Sequence, residues 1–416
     1  MLVHWIWLAH RPGVNDRMKV RLLQHFRDPE DIYYADGEGY RHVEGMTAEA
    51  EKALKDKDLS GAEAVLESCR REGLHILTFQ DAAYPSKLKN IADPPVLLYY
   101  KGQLPDFDAL PVIGVVGTRK ASAYGMQSAK RMGYQIGKCG GIVVSGMAYG
   151  IDGMAMAGAL SAGQPTVGVL GCGADIVYPA SNRALFRDVE ERGCILSEFP
   201  PGTPPAKWTF PKRNRIISGL SCGVLVVEAP AKSGALITAR LAADQGRDVF
   251  AVPGNIDIPT FEGSNRLLRD GAIMVSSGWD VVSEYEGLFP DKISRADAAS
   301  IQRAYPDEVA RQEETSPAKV AQKPALPGKK KDLKKEFKKN TLDKAASSPY
   351  SDVNTTIAGL SPEAQKIVLC LKEGERLVDD VIAETGLTTG KLLSALTMLE
   401  LKGIIKRLPG KRITMK

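Results

Sequence analysis

The feature that most constrains the fold is a series of short apolar runs between residues 108 and 287, separated by segments of helical periodicity. Continuous apolar strands that alternate with helices are typical of a parallel sheet covered on both faces. The sequence therefore predicts an α/β fold whose core is a doubly wound, extended Rossmann-like parallel sheet. Ligands of such sheets bind at the carboxyl ends of the strands. The strands are predicted at 112–116, 141–145, 166–170, 194–197, 223–227, 248–252 and 273–276.

The chain of 416 residues is long enough for two or three domains, and its patterning predicts four parts. Residues 1–105 are expected to form a small helical domain of the SAM or helix-hairpin-helix kind, and 106–290 the Rossmann-like domain. The segment 291–358 is lysine-rich and poor in large apolar residues, so it is expected to be a disordered linker. In 359–416, three helical segments precede two strands that flank a Pro-Gly turn, which is the pattern of a winged helix.

The net charge of +5 comes from the predicted linker. Ten lysines and three carboxylates between residues 317 and 345 give that stretch +7, which leaves −2 for the rest of the chain. Nucleic-acid affinity in the folded parts would therefore have to come from a local patch. The six cysteines form no CxxC pair and lie mostly in apolar or glycine-rich runs, which indicates reduced core cysteines and a cytoplasmic protein. The apolar N-terminus has no basic region and no cleavage site, so it is expected to be a core helix rather than a signal peptide. No apolar run approaches the length of a membrane span.

The strongest local signal is the segment FPKRNRIISGLS, which begins at Phe210. Lys212, Arg213 and Arg215 crowd together at the predicted start of a helix, where unpaired N–H groups already favour an anion. A bound phosphate would explain cations at that position. The competing interpretation is that at least one arginine pairs internally, with Glu198, Asp175 or Glu228.

Two glycine-containing turns follow predicted strands. GTRKAS begins at Gly117, and SGMAYGID begins at Ser145. A glycine at a strand end lets backbone N–H groups approach an anion. The two cations of GTRKAS favour anion binding over a packing turn, whereas SGMAYGID has no cation and could equally be a tight packing turn. The spacing is not GxGxxG, so a dinucleotide is not indicated.

In their order along the chain, these segments resemble the DprA/Smf family, the DNA-processing proteins of bacterial natural transformation. The matching pieces span residues from about 84 to 275 and are GTRKAS, SGMAYGID, GVLGCGADIVYP, SEFPPG, FPKRNRIISGLS, VVEA, SGALITA, AVPG and EGSNRLLRDGA. The family usually carries Ala-His in the helix after GID. This chain has GMAM at residues 153–156, so a role for that histidine does not apply here.

The resemblance implies a non-enzymatic protein that binds single-stranded DNA, protects incoming strands and loads the recombinase RecA. It also implies a homodimer formed through the central domain. No cofactor, metal or catalytic residue is expected. Carried over by motif, the DNA contacts are expected at Gly117, Arg119, Ser122, Ser145, Gly146, Phe210, Lys212, Arg213, Asn214 and Arg215.

Two other functions stay open. One is a nucleotide-processing enzyme of the phosphoribohydrolase type, for which Glu198 and Glu228 at strand ends would be the general acid or base. The PGGxGTxxE segment of those enzymes is absent. The other is a regulator that binds duplex DNA through the winged helix, whose cations could equally serve a protein interface. Those cations are Lys391, Lys402, Lys406, Arg407, Lys411 and Arg412.

Overall fold

The structure is a computed structural model that describes residues 2–295, 362–371, 376–387, 392, 395–396, 398–400, 404–408 and 412–415. The chain divides into two units, Met1–Val320 and Ala321–Lys416. Nearly all of the predicted linker 291–358 lies outside the described residues.

Six helices lie in the N-terminal part of the described residues, before the first strand. Four of them begin at a polar side chain, Asn15, Asp28, Asp36 or Thr47, that accepts a hydrogen bond from a backbone N–H of the first turn. These caps satisfy N–H groups that the helix itself leaves unpaired. The helices are α1 Leu2–Ala9, α2 Asp16–Phe26, α3 Pro29–Tyr34, α4 Gly37–Arg41, α5 Ala48–Leu54 and α6 Ser60–Glu72.

A nine-stranded sheet forms the centre of this unit, in the order β1-β2-β6-β5-β4-β3-β7-β8-β9. Strands β3 to β9 run parallel, and β1 and β2 add an antiparallel edge. The strands are β1 His75–Thr78, β2 Leu97–Gly102, β3 Val112–Val116, β4 Ile142–Ser145, β5 Thr166–Leu170, β6 Cys194–Ser197, β7 Gly223–Val226, β8 Asp248–Ala251 and β9 Ile273–Met274. The predicted Rossmann-like α/β core is confirmed.

The connections between the strands are mostly helical. They are α7 Ser86–Lys89, α8 Ala123–Lys138, α9 Ile151–Ser161, α10 Arg183–Arg192, α11 Thr209–Leu220, α12 Gly234–Asp244, α13 Glu262–Arg269 and α14 Gly278–Val282. Three short 3-10 helices occupy Ala180–Asn182, Pro259–Phe261 and Ser283–Tyr285. Strand β3 lies at the switch point of the strand order: β4, β5 and β6 lie on one side of it, and β7, β8 and β9 lie on the other.

The edge strands β1 and β2 precede residue 105 but belong to this sheet, since β2 pairs with β6 over Tyr99–Gly102. The predicted domain limit between 105 and 106 therefore falls between two strands of one sheet. Buried side chains of the helices and of the sheet also form one continuous core.

Helices α8 and α9 pack with their backbones in close approach. A methyl group on Gly133 would lie 1.9 Å from the carbonyl oxygen of Ala155, and one on Gly158 would lie 2.0 Å from that of Lys130. Both positions are therefore restricted to glycine by the neighbouring backbone. This contact fixes the two helices that begin at the loops after β3 and β4.

Replacing Gly158 by alanine should lower the free energy of unfolding by about 1–3 kcal/mol, because two backbones must move apart. Gly61→Ala is the matched control, since a methyl group there meets nothing within 4 Å. It should be neutral or slightly stabilising in α6. Urea denaturation followed by circular dichroism compares the two variants, and equal midpoints would contradict the close-packing argument.

The C-terminal unit contains α15 Pro362–Cys370, β10 Arg376–Leu377, α16 Val378–Thr385, β11 Ile405–Leu408 and β12 Arg412–Met415. The described residues between 392 and 400 are helical. The strands form a small antiparallel sheet in the order β10-β12-β11. The C-terminal unit has a separate apolar core, which includes Ile367, Val381, Leu396 and Ile413. This arrangement confirms the winged-helix prediction.

Candidate nucleic-acid interface

The loops after β3, β4 and β5 meet at the carboxyl edge of the sheet, because these strands are neighbours and parallel. They carry Arg119, Gly146 and Tyr178 together with Tyr149, and α11 contributes Phe210 and Arg213 from the adjoining side. These residues, with Ala148 and Pro179, line one small pocket, which we call the Arg213 pocket.

The β4 loop is held in an unusual backbone conformation. Met147 has a φ of +55°, and its sulfur packs so close to Gly168 that a side chain there would collide with it. The side-chain amide of Asn182 donates to the carbonyl oxygens of Met147 and Ala148, at 3.0 and 3.3 Å. Such strain persists where surrounding structure holds it, and it is often found at functional sites. Nothing in the sequence around Asn182 identifies this supporting role.

Arg213 lies at the base of the pocket and is only 4% exposed. Its Nη1 donates to the carbonyl oxygen of Val169 at 2.6 Å, and its guanidinium occupies the space that a side chain on Gly146 would need. Burial lowers the pKa of Arg213 to about 10, although the nearby carboxylate of Asp152 opposes the effect. Among the described residues, the buried Nε of Arg213 has no hydrogen-bond partner. A buried cation that is only partly compensated favours an incoming anion.

Arg119 and three aromatic rings form the rim of the pocket. The exposed guanidinium of Arg119 lies over the ring of Phe210, 5.0 Å from its centre, and the ring of Tyr178 lies 5.7 Å from that of Phe210. Tyr149 and Tyr178 are exposed. The enclosed space is about 20 Å³, room for little more than one water-sized group. The pocket is therefore suited to hold part of a phosphate group at the surface and is too small to enclose a nucleotide.

The cationic segment divides between two faces of α11. Arg215 points away from the Arg213 pocket and is buried among carboxylates, 2.6 Å from Glu198, 3.2 Å from Asp16 and 3.6 Å from Asp93. Burial opposes its charge, but these three carboxylates outweigh burial and raise the pKa of Arg215. The internal pairing with Glu198 that the sequence left open is thus present.

Lys212 lies on the same side as Arg215, 3.5 Å from Asp16 and 3.4 Å from Glu198, and its side chain is 37% exposed. Because α11 begins at Thr209, the cations lie in its first two turns and point sideways from the helix. The proposed reason for their clustering, an anion held at the helix start, therefore accounts at most for Arg213.

The remaining predicted contact residues have internal partners. The Ser122 hydroxyl donates to Glu228 at 2.8 Å and caps α8, and the Ser145 hydroxyl donates to the carbonyl oxygen of Val115 at 2.5 Å. Gly117 packs against Ile151, and the Asn214 amide donates to the carbonyl oxygen of Gly234 at 3.5 Å. Their roles in DNA binding stay predictions.

Glu198 and Glu228, the two carboxylates considered for acid–base chemistry, also have internal partners. Glu198 pairs with Arg215 and Lys212, while Glu228 accepts the backbone N–H and the hydroxyl of Ser122. Neither lines the Arg213 pocket. A search of the described residues finds no cluster of potential metal ligands and no helix of a length and apolarity that would cross a bilayer.

Comparison with known proteins follows the same division of the chain. The model of the family DNA recombination-mediator protein A matches residues 75–286, and that of the DprA winged helix domain matches residues 353–411. Protein Smf of Synechocystis is 32% identical over 98% of this chain and 97% of its own length. The chain belongs to the DprA/Smf family.

Two further members of the DprA/Smf family are similar to this chain. The DNA processing protein DprA of Bacillus subtilis is 43% identical over 53% of this chain and 74% of its own length. The X-ray structure of DprA from Streptococcus pneumoniae superposes with a TM-score of 0.61, at 34% identity, over 68% of this chain and 98% of that one. The family match begins at residue 75, the first residue of β1, and therefore includes the antiparallel edge of the sheet.

Proposed function

We propose that this DprA/Smf protein binds single-stranded DNA along the carboxyl edge of the nine-stranded sheet, protects it and delivers it to RecA. The observation that carries the proposal is the Arg213 pocket. A buried guanidinium, whose Nε has no hydrogen-bond partner in the part of the chain that the structure describes, lies beneath a rim made of Arg119 and aromatic rings. Phosphate pairs with the two cations, and bases stack on the rings.

A row of exposed aromatic side chains favours a single strand over a duplex. Three adjacent strands, β6, β5 and β4, are each followed beyond their carboxyl ends by one: Trp208, Tyr178 and Tyr149, respectively. Neighbouring strands lie roughly 4.8 Å apart, so the rings line one edge of the sheet. Unpaired bases can stack on such rings, whereas the bases of a duplex are already stacked on one another.

Arg119→Ala should weaken single-strand binding about tenfold, because an exposed cation on the rim loses its phosphate contact. Fluorescence anisotropy with a labelled oligonucleotide measures the dissociation constant. The slope of its logarithm against that of salt concentration should fall in magnitude by about 0.7. Lys212→Ala should have the smaller effect, since Asp16 and Glu198 already share the charge of Lys212.

Arg240→Ala is the control for Arg119→Ala. Arg240 is an arginine on α12 that is 84% exposed and faces Asp244. Wild-type affinity is expected for this variant. If Arg119→Ala and Lys212→Ala both bind like the wild-type protein, the proposed interface is wrong.

We also propose that the chain forms a homodimer through the central domain. The sheet ends at β9, an edge strand on which Ile273 and Met274 are exposed, and an apolar edge strand is typical of a pairing surface. Light scattering before and after addition of single-stranded DNA measures the assembly. Delivery to RecA is tested by the rate at which RecA displaces a single-strand-binding protein in the presence of this chain.

The geometry of the Arg213 pocket supports a binding protein rather than an enzyme. We place the action of this protein in the cytoplasm, where incoming strands meet RecA. The residues that line the Arg213 pocket include no carboxylate, and hydrolysis of a nucleotide would need a positioned acid or base. Incubation with nucleoside monophosphates should therefore release no free base. The winged helix is tested separately, by competition between duplex and single-stranded oligonucleotides.

A further inference from the structure

A second and larger cavity lies on the opposite face of α11 from the Arg213 pocket. It occupies about 310 Å³ between the N-terminal helices and the carboxyl end of β6, and its walls include His10, Asp16, Phe199, Trp208 and Lys212. We call it the α11 cavity. Its volume falls at the lower end of the range of small-molecule sites, so a nucleobase with its sugar fits, which the Arg213 pocket does not allow.

The mouth of the α11 cavity carries the two groups that a nucleotide requires. Trp208 is 66% exposed, and its ring meets the buried ring of Phe199 edge to face, with centres 5.8 Å apart. The ammonium of Lys212 lies 5.9 Å from the centre of the Phe199 ring. An exposed indole face beside a half-exposed cation can stack a base and pair with the phosphate attached to it.

The interior of the α11 cavity is rich in hydrogen-bond acceptors. Glu198 and Asp16 line it, and the buried Oε2 of Glu198 has no hydrogen-bond partner among the described residues. His10 shares a hydrogen bond of 2.8 Å with the hydroxyl of Tyr99. Burial, with the charges of Lys19 and Lys212, lowers the pKa of His10 to about 4, so that the imidazole is neutral at pH 7. Carboxylates repel a phosphate but accept hydrogen bonds from the exocyclic amino group of a base.

The two sites are consecutive along the same edge of the sheet. Trp208 and Phe210 are two residues apart at the start of α11, and they line the α11 cavity and the Arg213 pocket, respectively. The loops that form the two sites follow the adjacent strands β6 and β5. A single strand gripped by Arg213 and Arg119 can therefore place a neighbouring nucleotide over the α11 cavity.

We propose that the α11 cavity is a base-binding subsite for the same single strand. An unpaired base stacks on Trp208 there, and its amino group donates a hydrogen bond to Glu198 or Asp16. This inference rests on the proposed function. It adds that the N-terminal helices form part of the DNA site, since His10 and Asp16 come from that part of the chain. It also adds a preference for bases that carry an amino group, because thymine has a carbonyl oxygen in place of the amino group of cytosine.

The test uses the full chain and oligocytidylate and oligothymidylate probes of about 20 nucleotides, long enough to cross both sites. The wild-type protein should bind oligocytidylate more tightly. Trp208→Ala should weaken binding of oligocytidylate about tenfold. Tyr34→Ala is the matched control, an aromatic residue that is 72% exposed in the N-terminal part, and it should bind like the wild-type protein.

An abasic oligonucleotide completes the test. The wild-type protein should lose affinity for it, whereas Trp208→Ala should bind it no more weakly than the wild-type protein does, because no base is present to stack. Equal affinities for the two homopolymers, or wild-type affinity of Trp208→Ala for oligocytidylate, would overturn the subsite. If Arg119→Ala nevertheless weakens binding in that case, the proposed function stands without the subsite. If Arg119→Ala and Lys212→Ala also bind normally, the proposed function itself fails.

Discussion

Replacing Arg215 by methionine is expected to lower the free energy of unfolding by about 3–5 kcal/mol, the cost of breaking a buried ion pair from one side. The change leaves the carboxylates of Glu198 and Asp16 facing each other below the surface, and Asp93 loses its partner in the cluster. Lys212 remains as a cation for Glu198 and Asp16, at 3.4 and 3.5 Å, but it is partly hydrated and compensates only in part. Urea denaturation followed by far-ultraviolet circular dichroism measures the loss.

Arg240→Met is the control for this prediction, because Arg240 is exposed and its removal should not change the midpoint by a measurable amount. Below its unfolding transition, Arg215→Met should keep its affinity for oligothymidylate within about threefold of wild type, since Arg215 lies on the face of α11 away from the Arg213 pocket and thymine has no amino group for Glu198 or Asp16 to accept from. A loss of less than about 1 kcal/mol would show that the carboxylate cluster is not the stabilising feature we infer.

The architecture follows from the sequence because burial on both faces of a parallel sheet leaves a continuous apolar run at each strand. The runs at 112–116, 166–170 and 194–197 coincide with β3, β5 and β6. The sheet's antiparallel edge was harder to place. The residues of β1 and β2 lie within the range 1–105 that we predict to be a helical domain, and nothing local shows that β2 pairs with β6, which lies more than 90 residues further along the chain.

The opposite orientations of Arg213 and Arg215 within FPKRNR, and the partners of each, could not be predicted, for two physical reasons. An α-helix turns by about 100° per residue, so Arg213 and Arg215 point to nearly opposite sides once α11 begins at Thr209. That start was not fixed by the sequence. The partners also come from distant parts of the chain: Asp16 belongs to the N-terminal helices, and Asp93 to the segment before β2. Glu198, nearer in sequence, was among the candidates.

The hydroxyls of Ser122 and Ser145 illustrate a second limit. A serine after a strand is a good phosphate ligand and an equally good cap or backbone partner. The structure shows the second use for both, through Glu228 and the carbonyl oxygen of Val115. The choice depends on a neighbour that sequence spacing does not identify.

Arg213→Met is expected to give the largest loss of function, about a hundredfold in single-strand affinity, because a charge-assisted contact to a buried guanidinium is removed. Its effect on folding should be small by comparison with Arg215→Met. Among the described residues, Arg213 has one hydrogen-bond partner, the carbonyl oxygen of Val169, and one nearby carboxylate, Asp152, whereas Arg215 faces three carboxylates. The folding cost of Arg213→Met is therefore that of leaving Asp152 buried without its cation. Fluorescence anisotropy and urea denaturation on the same preparation measure the two effects.

Asp152 supplies an internal check on this variant. Burial raises the pKa of Asp152, while Arg213 opposes that rise, so loss of Arg213 leaves a carboxyl group that takes up a proton more readily when folded than when unfolded. A folded-state pKa above the unfolded one makes stability increase as the pH falls through the raised value towards 3.8. Arg213→Met should therefore regain stability relative to wild type on mild acidification.

Gly146→Ala, whose methyl group would lie 2.0 Å from Nη1 of Arg213, should weaken DNA binding although the charge of Arg213 is retained. Single-strand affinity of Arg213→Met within twofold of wild type would exclude Arg213 as the phosphate ligand.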